Sequence, residues 1–233
     1  MPHDALKEAV WKANLDLVKA GLVILTWGNV SGADRDAGVV AIKPSGVAYD
    51  ALRPEDVVVV SLGTGEVVEG TLRPSSDTPT HLHLYRAFPA IGGVAHTHSS
   101  AAVSWAQAER DVPCFGTTHA DHFHGCVPVT RRMREQEIRG AYEHETGVVI
   151  AECFRERGID PEDVPGVLVA GHGPFAWGPD AAKAVENAIA LEATARMALD
   201  TLRINPDAQA IDQALLDKHH RRKHGSGAYY GQR

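Results

Sequence analysis

The chain has no apolar stretch near the roughly 20 residues that a membrane-spanning helix needs. Its first residues, Met1-Pro2-His3-Asp4, lack the charged and apolar regions of a secretory leader. Neither membrane insertion nor export is therefore expected. Cysteine is scarce: Cys114, Cys126 and Cys153 are odd in number and show no CxxC spacing. That pattern excludes a disulfide framework and a thiolate zinc site, and reduced thiols in the cytoplasm are expected. The formal net charge of -7 comes without any basic stripe, so nucleic acid is not an expected partner. The one short basic run, Lys218, Arg221, Arg222 and Lys223, reads as a solvated helix face or a local site for an anion. No GxGxxG follows a strand-like segment, which counts against a dinucleotide fold; Gly63-Thr64-Gly65 reads as a turn. Linkers and internal repeats are also missing, so residues 1–233 are expected to form one domain.

What is present suits a globular α/β protein: 44% hydrophobic and 23% charged residues, in a chain long enough to bury a substantial core. Apolar residues at 6, 10, 13 and 17, with Gly21 as a stop, predict a helix from Asp4 to Ala20. Leu22 to Thr26 and Val39 to Ile42 read as strands around the turn-rich segment Gly32 to Asp36. Val57 to Leu62 and Glu66 to Glu69 form a hairpin signal. A helix over Thr80 to Phe88, a strand over Gly93 to His98 and a helix over Ser99 to Ala108 come next. A loop-rich stretch runs to Thr130, followed by one helix from Glu135 to Arg157. Val167 to Gly173 and Pro174 to Gly178 suggest a second hairpin, and helices over Asp180 to Leu202 and Asp207 to Lys223 complete the pattern. Hairpins with helices on either side predict a largely antiparallel or mixed sheet.

Histidine is abundant, with thirteen in the chain, concentrated between positions 81 and 124. His96-Thr97-His98 ends the apolar run Ile91 to Ala95. Residues two apart on a strand share a face, so this triplet aims two imidazoles at one place. A third imidazole, His172, ends the apolar run Val167 to Ala170, and Asp77 adds a carboxylate from the polar loop Arg73 to Asp77. An isolated HxH is commonly a half-exposed strand with satisfied histidines; the partners at 77 and 172 favour a metal instead. Three neutral imidazoles and one carboxylate suit a borderline ion such as Zn2+, and Mn2+ or Co2+ could serve in the same ligands. The remaining histidines at 81, 83, 119, 144, 220 and 224 read as structural or solvated.

Three polar loops, Thr26 to Ser31, Lys43 to Gly46 and Arg73 to Asp77, combine small residues with hydroxyls, a composition that lets backbone N–H groups close on an anion. With their neighbours they form an ordered series: TWGNVSG (26–32), KPSG (43–46), SSDTPTHLHLY (75–85), HTHS (96–99), GTTHAD (116–121), GHGPFAWG (171–178) and AYYGQ (228–232). In this combination the chain resembles the class II sugar-phosphate aldolase/epimerase family over essentially its whole length. The resemblance implies a three-layer α/β/α fold, one zinc ion per subunit, and a homotetramer with active sites between subunits. It assigns the metal to Asp77, His96, His98 and His172. The substrate's phosphate falls to Asn29, Ser45, Gly46, Ser75 and Ser76, with Thr26 and Gly28 nearby, and Lys43 contacts substrate oxygens. Acid/base work falls to Asp121 and to Tyr230 of a neighbouring subunit, supported by His219 and Glu143. His122 and His124 depart from the family, which carries aromatic residues there.

The implied reaction interconverts L-ribulose 5-phosphate and D-xylulose 5-phosphate, as in L-arabinose catabolism. The hydrogen on C4 is not α to the ketone, so its abstraction gives no stabilised anion. Breaking C3–C4 by retro-aldol cleavage, turning the aldehyde and rejoining the carbons avoids that difficulty. A divalent ion can stabilise the resulting enediolate charge as a Lewis acid. Two proton-transfer groups on opposite sides of C4 are needed, because one group cannot reach the hydroxyl in both orientations. The alternative within the family is an aldolase that releases dihydroxyacetone phosphate and an aldehyde. Family aldolases carry a glutamate near the metal where this chain has Asp77, which tilts the reading toward the epimerase. A non-enzymatic protein binding metal or sugar phosphate on the same scaffold is a third reading; binding without turnover would identify it.

Overall fold

The structure is a computed structural model that describes residues 2–224, 228 and 229. Its centre is a seven-stranded sheet in the order β4-β3-β2-β1-β5-β7-β6. The strands are β1 (Gly28–Asp34), β2 (Val39–Ile42), β3 (Val58–Ser61), β4 (Val67–Glu69), β5 (Gly93–Thr97), β6 (Gly166–Leu168) and β7 (Pro174–Gly178). All ladders between them are antiparallel; among the described residues the one parallel contact is an isolated bridge between Val129 and Leu168.

Both faces of the sheet are apolar, and alternation sends successive side chains to separate cores. Val40, Val58, Val60, Val94 and Trp177 face a large core completed by Leu84, Phe88, Trp105 and Phe154. Those residues come from α2 (Thr78–Ala87), α3 (Ser100–Ala108) and α6 (Tyr142–Arg157) and their flanks. Val39, Ala41, Val59, Ala95 and Ala176 face the opposite core, covered by α1 (Asp4–Lys19) and the first half of α7 (Ala181–Ile204). The expected three layers follow. The alanines on this second face let α7 lie close to the sheet, and Gly93 allows the closest approach: a Cβ there would sit 2.2 Å from the Asp180 carbonyl oxygen.

Helices α1, α2, α3 and α7 and the two hairpins lie within a few residues of their expected positions. Three segments differ. Leu22–Thr26 is not a strand: Leu25 takes φ +55°, and Ile24, Leu25 and Trp27 are exposed. The strand is the polar segment that follows, β1, because Asn29 and Ser31 find buried hydrogen-bond partners between β2 and β5. Gly28 opens it at φ +113°, where a Cβ would lie 2.7 Å from the His96 carbonyl oxygen. The helix expected over Glu135 to Arg157 is broken at Gly140 into α5 (Glu135–Arg139) and α6. The final helix, α8 (Gln213–Lys223), starts later than expected, after the turn at 205–212. A short α4 (Thr117–Ala120) lies inside the loop-rich stretch and packs against α8 and α7.

Candidate metal centre and its surroundings

Strand β5 carries His96 at 1% exposure, and His98 lies just past the strand's end on the same face, with ring centroids 4.9 Å apart. Pairing of β5 with β7 sets His96 opposite Phe175, whose ring stacks on the imidazole at 4.1 Å. His172, in the loop between β6 and β7, is thereby brought 4.9 Å from His96 and 5.2 Å from His98. That loop is tied down by hydrogen bonds from Gly171 N to Ala106 O and from Val169 N to Gly173 O. The ligand atoms of the three histidines lie within 4.8 Å of one another, the one such group among the described residues.

The donor set fits a divalent ion. His96 donates from Nδ1 to Pro174 O at 2.9 Å, which leaves Nε2 with an unshared pair. Burial lowers the proton affinity of His96, His98 and His172, the last to about 3. Burial thus favours the neutral imidazole in each, the form that coordination requires. Nδ1 of His172 is buried with no hydrogen-bond partner. Burial opposes ionisation of Asp77, but the nearby imidazoles of His96 and His81 and a hydrogen bond from Asn29 outweigh it and hold the carboxyl below its usual range.

Asn29 links this centre to the polar loops. Its Nδ2 donates to Asp77 Oδ2 at 2.6 Å and to Ser75 Oγ at 3.1 Å, and its Oδ1 is buried without a partner. The loops at 43–46 and 73–77 run side by side, with Ser45 N bonded to Arg73 O and Ser75 N to Lys43 O. Ser45, Gly46, Ser76 and Thr26 are exposed around them, and Gly28 is half-buried. Lys43 is buried, donates to the carbonyls of Pro44 and Val47, and lies 4.7 Å above the Tyr49 ring. Burial brings its proton affinity down to about 8.

Of the expected acid/base residues, Asp121 is held by a different part of the chain. Asp121 follows α4 and is bound by α8: His219 donates to Oδ1 at 3.1 Å, and Arg222 spans both carboxylate oxygens. Glu143 lies in the first turn of α6, where its carbonyl accepts from the Thr80 hydroxyl. Tyr230 lies outside the described residues. Sequence reasoning passed over Tyr142, whose ring is 6.3 Å from His172. It also passed over Tyr49, which donates to Gly28 O at 2.7 Å and whose hydroxyl is raised in proton affinity by burial and by Asp77. Neither tyrosine sits in a motif, so only the fold reveals them. His81 is fully buried, with Nδ1 and Ser31 Oγ 2.7 Å apart and Nε2 without a hydrogen-bond partner.

Residues 8–199 match the model of the class II aldolase and adducin N-terminal domain. The chain is 54% identical over 228 residues to L-ribulose-5-phosphate 4-epimerase UlaF of Salmonella paratyphi A, covering 98% of this chain and 99% of that one. The Salmonella typhi protein of the same name matches equally. Among solved structures, an L-fuculose 1-phosphate aldolase superposes with a TM-score of 0.74 at 24% identity, covering 92% of this chain and 94% of that one.

Proposed function

The chain belongs to the class II aldolase family, and from that premise we propose that it is a metal-dependent 4-epimerase that interconverts L-ribulose 5-phosphate and D-xylulose 5-phosphate. The observation that carries this reading is the convergence of His96, His98 and His172 within reach of one ion, near a hydrogen-bonded group of Asp77, Asn29 and Ser75 that leads to two paired polar loops. Relatives of that name at 54% identity along nearly the whole chain favour the epimerase over an aldolase.

The three imidazoles, with Asp77 as a further donor, would hold Zn2+, which supplies Lewis-acid stabilisation for negative charge on substrate oxygens. Asn29, Ser45, Gly46, Ser75 and Ser76, with Thr26 and Gly28, grip the phosphate, so that the small aldehyde phosphate stays in place between cleavage and rejoining. An escaped fragment would turn the epimerase into an aldolase. Lys43, whose proton affinity of about 8 leaves it mostly charged at neutral pH, faces substrate oxygens. Asp121 and Tyr230 act on opposite sides of C4: one takes the hydroxyl proton as the C3–C4 bond breaks, and the other protonates the aldehyde oxygen as the bond re-forms. His219 and Glu143 support them.

We assign the active unit to a homotetramer with sites between subunits. Two features support this. Among the described residues Asp121 is bonded to α8 and not to His96, His98 or His172. The exposed Trp27 lies 6.3 Å from His98, and the nearby chain residues Ile24 and Leu25 are also exposed and apolar, as expected of a surface covered in an assembly. A cytoplasmic setting fits the three free thiols and a phosphorylated substrate. The deciding experiment is an assay of metal-reconstituted protein on several pentulose 5-phosphates, following inversion at C4. Free dihydroxyacetone phosphate above trace levels would replace the epimerase with the aldolase.

A further inference from the structure

We infer that Arg222 is a positioning residue for the proposed reaction: its guanidinium fork, on the last turn of α8, fixes Asp121 as an oriented carboxylate and drives it back to that state after each proton transfer. Nε of Arg222 lies 2.9 Å from Asp121 Oδ1 and a terminal nitrogen lies 2.5 Å from Oδ2. A planar fork on both oxygens sets the orientation of the carboxylate as well as its charge, which a lone ammonium cannot do. The surroundings work in the same direction. His219 donates to Oδ1, Lys223 Nζ lies 3.8 Å from Oδ2, and His224 donates to the Asp121 carbonyl at 3.0 Å. From α7, Lys183 and Glu186 act on the neighbouring His122. Asp121 itself is 7% exposed, so these contacts are poorly screened by water. Burial alone would favour the protonated acid, but the hydrogen bonds from Arg222 and His219 outweigh it.

The inference rests on the reading of Asp121 as a proton-transfer group. As a base it takes the proton of the C4 hydroxyl, while the O–H electron pair becomes the carbonyl bond of the leaving aldehyde. The C3–C4 pair passes meanwhile to the ketone fragment as an enediolate. The Asp121 carboxylic acid, facing a fixed cation, then releases its proton to solvent, and Tyr230, having protonated the re-formed C4 oxygen, takes one back from solvent, which readies the site for the next turnover. The basic run, which reads in the sequence as a solvated helix face or a local site for an anion, thus has an anion, and the anion is internal.

The test is the pH dependence of kcat and KM for pentulose 5-phosphate epimerisation by the metal-loaded full chain. The parent is compared with Arg222→Lys, Arg222→Gln and Asp121→Asn. Arg222→Gln is expected to move the acidic limb of kcat up by about one to two pH units, the size expected when a cation is removed from a carboxylate. Arg222→Lys should move it by less, with KM within about twofold of the parent in both. An unmoved limb in Arg222→Gln, with Asp121→Asn inactive, overturns the inference and leaves the role of Asp121 standing. An Asp121→Asn enzyme as fast as the parent overturns the reading beneath it. Should Arg222→Gln fail to assemble, carboxyl NMR of the parent, assigned with Asp121→Asn, decides the matter. A midpoint below the ordinary aspartate value of about 3.9 supports the inference, and one at or above it overturns it.

Discussion

The proposed metal ligands and the proposed proton-transfer group belong to two parts of this molecule, a histidine end and an Asp121 end, built on different principles. The histidine end rests on the sheet: His96 sits in an inner strand between β1 and β7, stacked on a fully buried Phe175, with its ring nitrogen bonded to a neighbouring backbone carbonyl. The Asp121 end rests on two helices joined by a small apolar cluster of Cys114, Ala120 and Leu216, and by charge. Metal ligands must converge within a few tenths of an ångström, which a packed sheet enforces. A proton-transfer group needs a tuned and recoverable charge, which nearby cations supply. The first end should therefore resist salt, pH and partial unfolding, while the second should respond to each.

The largest expected effects separate the two ends by metal content. Replacing His98 with Asn removes a ligand at the half-buried end of β5 and is expected to lower turnover by about three orders of magnitude or more. The scale is that of losing several kcal/mol of Lewis-acid stabilisation. Metal content by atomic emission should fall with the rate, while the circular dichroism spectrum stays that of the parent. Asp121→Asn should cost about 10²- to 10⁴-fold in kcat, with metal content unchanged. If Asp121→Asn also stripped the metal, the division into two ends would collapse.

A third, smaller effect tests the packing side of the comparison. Leu216 is 7% exposed and provides most of the apolar contact between α8 and the Asp121 segment. Truncating it to Ala is expected to cost about 2 kcal/mol of local stability. Hydrogen exchange should then show α8 amides exchanging roughly 30-fold faster, since about 1.4 kcal/mol corresponds to a factor of ten. Amides of β5 should exchange as in the parent. Uniform acceleration across both would mean that α8 unfolds only with the sheet.

The same division explains what the sequence made legible. Elements driven by apolar periodicity were readable: α1 from its spacing of 6, 10, 13 and 17, β5 from the run ending at His96, and the hairpins β3–β4 and β6–β7. The convergence of His96, His98 and His172 followed from period two and two strand ends, because burial places such segments side by side. β1 was missed because its residues are polar, and their burial is offset by partners far along the chain, such as Asn14, His81 and Tyr85. The break at Gly140 is a local backbone event that periodicity on either side overrides. At the Asp121 end, Arg222 reads as part of a solvated helix face or a local anion site, and nothing names Asp121 as its anion, since ion pairing over 101 positions leaves no local trace. Asn29 was readable as an anion-loop residue, but not as the donor that ties Asp77 to Ser75.

The mildest perturbation is acid, and its sign follows from two histidines. His119, 4% exposed on α4, and His220, 7% exposed on α8, both have proton affinities lowered by burial to about 4. In the unfolded or undocked chain their value returns to about 6.5. Above that value both forms are neutral and the contribution to docking is fully present. Below it the open form takes up protons that the closed form refuses, so stability is lost progressively as pH falls toward 4. At pH 5.5, one pH unit below its open value, each group is expected to cost about 1.4 kcal/mol. Asp121 stays ionised in this window because its carboxyl is held below the usual range, so its bonds to Arg222 and His219 do not fail first. Exchange rates of α8 amides, corrected for the intrinsic effect of pH, should therefore rise about 100-fold relative to β5 between pH 7.5 and pH 5.5, in metal-loaded protein. Replacing His220 with Tyr, which keeps a ring but removes the titration, should halve the rise on a logarithmic scale. An undiminished rise in that variant would trace the acid response to some group other than the imidazole packed between His124 and His224.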